Sequence, residues 1–107
     1  MLDDSNAAGF DAIWDRGSFQ AINPHQRKDY ALFIQRSLLA QGDYLLSVSE
    51  YDDPRMPGPP FSVKEGVIQQ IFPMYKYQVL QSDEAVMEVK GIKVQMTYKI
   101  YALKQTL

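Results

Sequence analysis

The sequence contains no cysteine and a single histidine, and these absences exclude some kinds of site. Without cysteine the chain forms no disulfide bond and no thiolate metal centre, which is compatible with a reducing compartment. No apolar run approaches the ~20 residues that span a bilayer, so the sequence predicts no membrane partner. The first residues also lack the basic segment and apolar stretch of a signal peptide, and we therefore expect a cytoplasmic protein.

The chain also has no large excess of positive or negative charge. The 11 Lys and Arg against 13 Asp and Glu leave a net charge of −2. Surfaces that bind nucleic acid are basic, so this balance argues against a nucleic-acid partner. A small patch of Lys93, Lys99 and Lys104 with Tyr98 and Tyr101 is the alternative, although the ordinary alternation of a strand also accounts for it.

The composition is that of a globular protein with clear periodicity. Hydrophobic residues make up 46% and charged residues 22% of the 107 residues, which suits one small domain or part of a larger one. Hydrophobic spacing and capping signals predict strands alternating with helices. The predicted elements are a strand at Phe10–Asp15, a helix from Asn23-Pro24 to Gly42, a strand at 44–51, a helix introduced by a Ser62–Glu65 capping box, and strands at 76–80 and 92–101.

The order of these elements predicts an α/β fold. Alternating strands and helices indicate a parallel sheet with right-handed crossovers, and the last two strands, with no helix between them, indicate an antiparallel pair. We therefore expect a Rossmann-like three-layer sandwich. In this arrangement the first strand lies in the middle of a sheet with one flank unpaired, so we expect that further strands belong on that side.

Two loops are predicted to meet at one edge of the sheet. Ligands bind beyond the carboxyl ends of parallel strands, which here brings Asp15-Arg16-Gly17 and Gly58-Pro59-Pro60-Phe61 to one cleft. An arginine there can bind a carboxylate through two hydrogen bonds, and proline and phenylalanine rings can form a wall for a flat aromatic ligand. The alternatives are a structural ion pair of Arg16 with Asp15 or Asp11, and a simple turn for the 58–61 segment.

Other polar residues give weaker signals. Adjacent carboxylates at Asp52 and Asp53 are typical of a solvated turn, and with no second cluster of ligands we predict no metal site. His25 is expected at the surface and Trp14 in the core. No pairing of a nucleophile with a base is present, so no covalent catalyst is predicted.

Two segments and the last strand carry a pattern that is specific when taken together. The first segment is Phe10-Asp11-Ala12-Ile13-Trp14-Asp15-Arg16-Gly17, continuing through Ala21-Ile22-Asn23-Pro24 to Arg27-Lys28 and Tyr30-Ala31. The second is Tyr51-Asp52 followed by Pro57-Gly58-Pro59-Pro60-Phe61-Ser62-Val63, and the chain closes with Ile100-Tyr101-Ala102-Leu103. In these segments and in the spacing between them, the sequence resembles thiopurine S-methyltransferases, and the similarity covers nearly all of the chain from Phe10 onward.

The resemblance implies a function and a set of site residues. It implies that residues 1–107 are a partial class I methyltransferase domain, strands four to seven of the fold, with an irregular 1–9 segment. It further implies S-adenosylmethionine as cofactor, with Arg16 near its amino-acid end and methyl donor and Asp15 beside it. Pro59, Pro60 and Phe61 would contact a small-molecule thiol, whose sulfur accepts the methyl group. The complete protein is expected to be a monomer.

The resemblance also indicates what this chain lacks. The family's glycine-rich turn, ribose-binding acid and N-terminal lid belong to the other half of the fold, so we expect the isolated chain to be inactive. A non-catalytic interaction module that uses its exposed sheet edge is the alternative. Family members also carry an arginine shortly before the last strand. The corresponding stretch, Asp83 to Lys90, has none, and Lys90 is the candidate replacement as a point charge.

Overall fold

The computed structural model describes residues 9–106, so the expectation of an irregular 1–9 segment falls, except for Gly9, outside the described residues. The chain forms strands β1, β2, β3 and β4, helices α1, α2 and α3, and one 3₁₀ turn. In chain order these are β1 (Phe10–Asp15), α1 (Ser18–Ala21), the 3₁₀ turn (Pro24–Gln26), α2 (Arg27–Ser37), β2 (Leu38–Glu50), α3 (Glu65–Ile71), β3 (Tyr75–Val89) and β4 (Ile92–Gln105). No helix in this part of the chain is long and apolar enough to cross a membrane.

The sheet has the strand order β1-β2-β4-β3. β1 and β2 are parallel, as two strands joined by a helical crossover should be, while β4 is antiparallel to both β2 and β3. The last strand of the chain therefore lies between two earlier ones. The predicted α/β fold, with neighbouring parallel strands and an antiparallel terminal pair, is confirmed.

The core lies between this sheet and helices α2 and α3. Tyr44, Leu46 and Tyr101 on the sheet are fully buried, and the main core cluster joins them to Ile34 of α2 and Ile68 of α3. These side chains are aromatic or branched aliphatic residues, whose burial supplies most of the driving force for folding. The sheet is thus held on one face by the two helices.

Trp14 was expected in the core, and this expectation is wrong. Side chains of a strand alternate between its faces, and here Ile13 and Asp15 are buried whereas Trp14 is 49% exposed. β1 is an edge strand within the described residues, so its outward side chains have fewer neighbours to cover them.

The boundary between α2 and β2 also differs from the prediction. The helix ends at Ser37 rather than near Gly42, and the strand begins at once with Leu38. Gly42 lies inside β2, where an added Cβ would come within 2.9 Å of the backbone oxygen of Asp11. This glycine therefore permits close approach of two strands rather than ending a helix.

β3 and β4 form a long hairpin that extends past the end of β2. The two strands are joined by Lys90 and Gly91, both with positive φ, which is the geometry of a tight two-residue hairpin turn. The last residue of β2, Glu50, pairs with Thr97 of β4. A strand rises about 3.3 Å per residue, so the turn lies roughly 20 Å beyond the end of β2 along the strand.

Candidate functional site

The carboxyl ends of β1 and β2 open on the same edge of the sheet, because the two strands are parallel. After β1 the chain passes through Arg16 and Gly17 into the short helix α1. After β2 it forms a long loop, residues 51–64, before α3. These two segments are the ones that the sequence predicted to meet, and they form the candidate site.

Asp15 is the buried centre of the β1 end. Its side chain is 4% exposed, and Oδ1 accepts hydrogen bonds from the backbone N–H groups of Ser18 (3.0 Å) and Phe19 (3.3 Å). Oδ2 accepts from the hydroxyl groups of Tyr30 (2.7 Å) and Tyr44 (2.8 Å). A buried carboxylate is stable only when its oxygens are satisfied in this way. Asp15 therefore ties α1, α2 and β2 together at one point.

The two tyrosines that bind Asp15 are held in their neutral form. Burial, together with the nearby Asp15 carboxylate, raises the pKa of both the Tyr30 and Tyr44 hydroxyls well above the usual value. Each hydroxyl therefore keeps its proton and remains a donor to Asp15. Sequence reasoning missed both partners, since neither is a neighbour of Asp15 in the chain.

Arg16 has no such partners within residues 9–106. Its side chain is exposed, and it forms no hydrogen bond or ion pair with any other residue in the range 9–106. Among the described residues Arg16 forms no ion pair with Asp15 or Asp11, and both oxygens of Asp15 already accept hydrogen bonds from other donors. Gly17 follows with a φ of 129°, a conformation that glycine adopts at little cost and that turns the chain into α1.

The loop after β2 is fastened by Tyr51 and Ser62. Ser62 Oγ accepts from the backbone N–H of Tyr51 and donates to its carbonyl oxygen, both at 2.9 Å. The hydroxyl of Tyr51 donates to the carbonyl oxygen of Pro60 at 2.6 Å. The predicted capping box at Ser62 is wrong: the hydroxyl closes the loop, and α3 begins at Glu65 without a side-chain cap from the described residues.

Helix α1 joins the two halves of the site. The backbone N–H of Phe61 donates to the carbonyl oxygen of Gln20 at 3.0 Å, and Gln20 Nε2 donates to both the carbonyl oxygen (3.0 Å) and the hydroxyl of Ser49. The helix that follows Arg16 is thereby bonded both to the loop and to β2. Pro59 and Pro60 are exposed at this edge and Phe61 is half-buried. No sequence pattern marked Gln20 for this role.

Gly58 fixes the conformation of the proline segment. Its φ is 76°, and a Cβ added there would overlap the ring of Phe61. Only glycine combines this backbone conformation with such close approach of a side chain. The Gly58 position therefore sets where the ring of Phe61 lies.

A pair of glycine substitutions tests this geometry. We expect Gly58→Ala to reduce the stability of the chain by about 1–2 kcal/mol, the cost of a left-handed conformation for alanine, and to displace Phe61. Gly66→Ala is the matched control, because Gly66 lies in α3 with open space around it, and alanine there should be neutral or stabilise by up to about 1 kcal/mol. The melting temperatures of both variants give the sign of the change in stability. Equal effects at the two positions would contradict this role of Gly58.

The remaining candidates, two of which lie in the loop after β2, form no hydrogen bond with Asp15, Gln20 or Tyr51 among the described residues. Asp52 pairs with Lys64 and Asp53 with Arg55, and no group of acidic or histidine side chains in the described part of the chain could hold a metal. The pKa of the Asp53 carboxyl is lowered to about 2 by its hydrogen bonds to Arg55. These pairs line a cleft of about 750 Å³ at the end of β2. His25 is exposed.

Lys90 is the residue expected to replace the family's second arginine. The structure places it at the turn between β3 and β4, exposed and with a φ of 50°. Its backbone is thus far along the hairpin from the end of β2. The turn lies on the carboxyl side of β2, which is also the side of the candidate site, and a role for the Lys90 charge stays a prediction.

The fold matches about half of two methyltransferases of known structure. A SAM-dependent methyltransferase from Anabaena variabilis matches with a TM-score of 0.63 at 15% identity, over 95% of this chain and 51% of that one. A second match is the 1,6-didemethyltoxoflavin-N1-methyltransferase of Burkholderia thailandensis, solved with bound 1,6-didemethyltoxoflavin and S-adenosylhomocysteine. Its TM-score is 0.57 at 18% identity, over 94% of this chain and 46% of that one. At such low identity these matches establish the Rossmann-like architecture alone.

Sequence similarity identifies the family. The family model of thiopurine S-methyltransferase matches residues 1–106, and the chain belongs to this family. The rabbit (Oryctolagus cuniculus) thiopurine S-methyltransferase is 47% identical over 68 residues, which are 63% of this chain and 27% of the relative. The chain thus matches little more than a quarter of that relative's length.

Proposed function

We propose that this chain supplies the C-terminal half of an S-adenosylmethionine-dependent methyltransferase. The acceptor is the sulfur of an aromatic or heterocyclic thiol, and the complete protein acts as a cytoplasmic monomer. Family membership and the β1-β2-β4-β3 order of the sheet support methyl transfer. The bound cofactor supplies a methyl group on a positively charged sulfur, which a thiol or thiolate can attack directly.

The observation that carries the proposal is the state of Arg16. Its guanidinium is exposed at the carboxyl edge and unpaired within residues 9–106, beside an Asp15 that is fully bonded. An unpaired guanidinium fits the carboxylate of the cofactor's amino-acid end, because it can donate two parallel hydrogen bonds. Asp15 has a different task in this proposal: it fixes the backbone from which Arg16 projects.

Pro59, Pro60 and Phe61 form the acceptor wall in this proposal. Their rings are rigid and apolar, and Tyr51 and Gln20 hold their backbone in place. A flat aromatic thiol would pack against such a surface and keep its sulfur oriented. Transfer by direct displacement depends mainly on orienting the two reactants, so no protein nucleophile is required.

Calorimetry with S-adenosylhomocysteine tests the proposal. We expect the isolated 107-residue chain to show no binding, because in this proposal it supplies one side of the cofactor site. A chimera that joins the N-terminal part of the rabbit relative to this chain should bind in the micromolar range and methylate an aromatic thiol. Micromolar binding by the isolated chain would contradict the proposal that the chain supplies one side of the cofactor site. A folded chimera that binds S-adenosylhomocysteine but methylates no thiol would contradict the proposal that a thiol is the acceptor.

A non-catalytic interaction module is the second candidate. The observation that favours it is the outer edge of β1, which pairs with no other strand in residues 9–106 and carries exposed Phe10 (39%) and Trp14 (49%). Unpaired edges attract other strands. A folded chimera that neither binds S-adenosylhomocysteine nor transfers methyl groups would favour this function.

A further inference from the structure

Arg27 is a buried cation that has no buried anion beside it among the described residues. It is the first residue of α2 and is 8% exposed, and no carboxylate pairs with it among the described residues. Its Nε atom has no hydrogen-bond partner in this part of the chain either. Burying a charge without a counter-charge is costly, so the contacts that Arg27 does make have to offset that cost.

Those contacts reach both halves of the candidate site. Arg27 Nη2 donates to the carbonyl oxygen of Ser62 at 3.3 Å, in the loop after β2. The guanidinium carbon lies 5.6 Å from the centre of the Phe19 ring, in the helix after β1. A guanidinium over an aromatic face is attracted to it, and the attraction increases when both groups are removed from water.

Each of these partners is itself fixed to the site. The backbone N–H of Phe19 is bonded to Asp15, the residue next to Arg16. Ser62 is bonded to Tyr51, whose hydroxyl binds the carbonyl oxygen of Pro60. Arg27 is therefore a bridge between the segment that carries Arg16 and the loop that carries the acceptor wall.

We propose that Arg27 is a positioning residue: it holds the 58–62 loop, and with it Pro59, Pro60 and Phe61, at a fixed position relative to Arg16. The kinetic part of this inference rests on the methyl transfer proposed above. The geometric part concerns this chain alone. Arg27 touches neither reactant in this proposal and acts through Ser62 and Phe19.

Hydrogen exchange on the 107-residue chain tests the geometric part. Arg27→Met keeps a long side chain at this position but removes both the donor to Ser62 and the guanidinium over Phe19. We expect the amides of Phe61 and Val63, which are bonded to Gln20 and Ser49, to exchange roughly ten- to a hundredfold faster, the effect of losing a charge-assisted hydrogen bond. The amides of β4 should be unchanged. Lys28→Met, at the exposed neighbouring position, is the matched control and should alter neither set.

A milder variant keeps the test decisive if Arg27→Met folds poorly. Arg27→Lys retains the charge and N–H donors but loses the flat guanidinium over Phe19, so the 58–62 loop should exchange at an intermediate rate. Unchanged exchange at Phe61 and Val63 in both variants would overturn the proposal. Equally faster exchange in β4 would also overturn it, because Arg27 would then stabilise the fold in general.

Kinetics of the chimera with rabbit N-terminal sequence test the functional part. Arg27→Met should raise KM for the thiol about tenfold, while KM for S-adenosylmethionine stays within about twofold, since the loop carries the acceptor wall. A merely structural residue would lower the active fraction and leave both KM values unchanged. An inactive chimera with Arg27 intact would contradict the proposed function. The geometric part would still be tested independently, by hydrogen exchange on the isolated chain.

Discussion

Asp15→Ala is expected to lower the free energy of unfolding of the chain by about 3–5 kcal/mol. The substitution removes the acceptor of four hydrogen bonds at once. The loss of stabilisation is greatest at the hydroxyl of Tyr44, because that residue is 0% exposed and its hydroxyl cannot bond to water once Asp15 is replaced. A domain of this size has only ~5–15 kcal/mol of stability, so much of the variant should be unfolded or insoluble.

Asp11→Ala is the matched control for this prediction. Asp11 lies on the same strand and carries the same charge, but its side chain is exposed. Its replacement should change the stability by less than about 0.5 kcal/mol. Urea unfolding of the three proteins measures the difference. Similar losses for Asp11→Ala and Asp15→Ala would show that Asp15 contributes through charge alone and not through its buried bonds.

Asp15→Asn separates geometry from charge. The asparagine oxygen can still accept from the backbone N–H groups of Ser18 and Phe19. The asparagine NH2 group, however, faces the Tyr30 and Tyr44 hydroxyls, which donate to Asp15 in the unaltered chain. Both tyrosine hydroxyls can rotate and accept instead. The loss should therefore be intermediate, and Tyr44→Phe in the Asp15→Asn background should cost less than in the unaltered chain, as expected for coupled neighbours.

The architecture is predictable from the sequence because its signals are local. Hydrophobic spacing predicts the Phe10–Asp15 strand with its observed bounds, and the alternation in residues 92–101 identifies most of β4. Chain order then determines that β1 and β2 are parallel and that their carboxyl ends share an edge. This is why the sequence alone predicts that Arg16 and the segment from Pro59 to Phe61 lie at one edge.

The bonds that shape the site are not predictable in this way, because they join residues distant in the chain. A serine three positions before a glutamate indicates a capping box, yet Ser62 binds Tyr51, 11 residues earlier. Glycine often follows the last residue of a helix, so the sequence predicts a helix end at Gly42. Only the close approach of β1 shows why glycine is needed there. Residues 81–88, more than half of them polar, are not predicted as a strand, although pairing with β4 makes them one. Tertiary contacts override the local pattern in each case.

Arg16→Ala is expected to lower kcat/KM for methyl transfer by roughly ten- to a hundredfold in the chimera with the rabbit N-terminal sequence. The substitution removes the charge and the planar set of donors, whereas Arg16→Lys keeps the charge alone. The exposure of Arg16 and its lack of partners within residues 9–106 predict that neither variant changes the melting temperature appreciably. Lys76→Ala, an exposed cation at the opposite end of the sheet, is the control for loss of one positive charge.

The pattern across acceptors shows which reactant Arg16 serves. If Arg16 binds the carboxylate of the cofactor, the loss should appear as a higher KM for S-adenosylmethionine and be the same for an anionic and a neutral aromatic thiol. If Arg16 instead steers an anionic acceptor, the neutral thiol should be nearly unaffected, and the proposed cofactor contact is wrong. If kcat/KM is unchanged for both thiols in a folded Arg16→Ala protein, Arg16 has no part in the reaction. A guanidinium that stands exposed at this sheet edge, unpaired within residues 9–106, then needs another explanation.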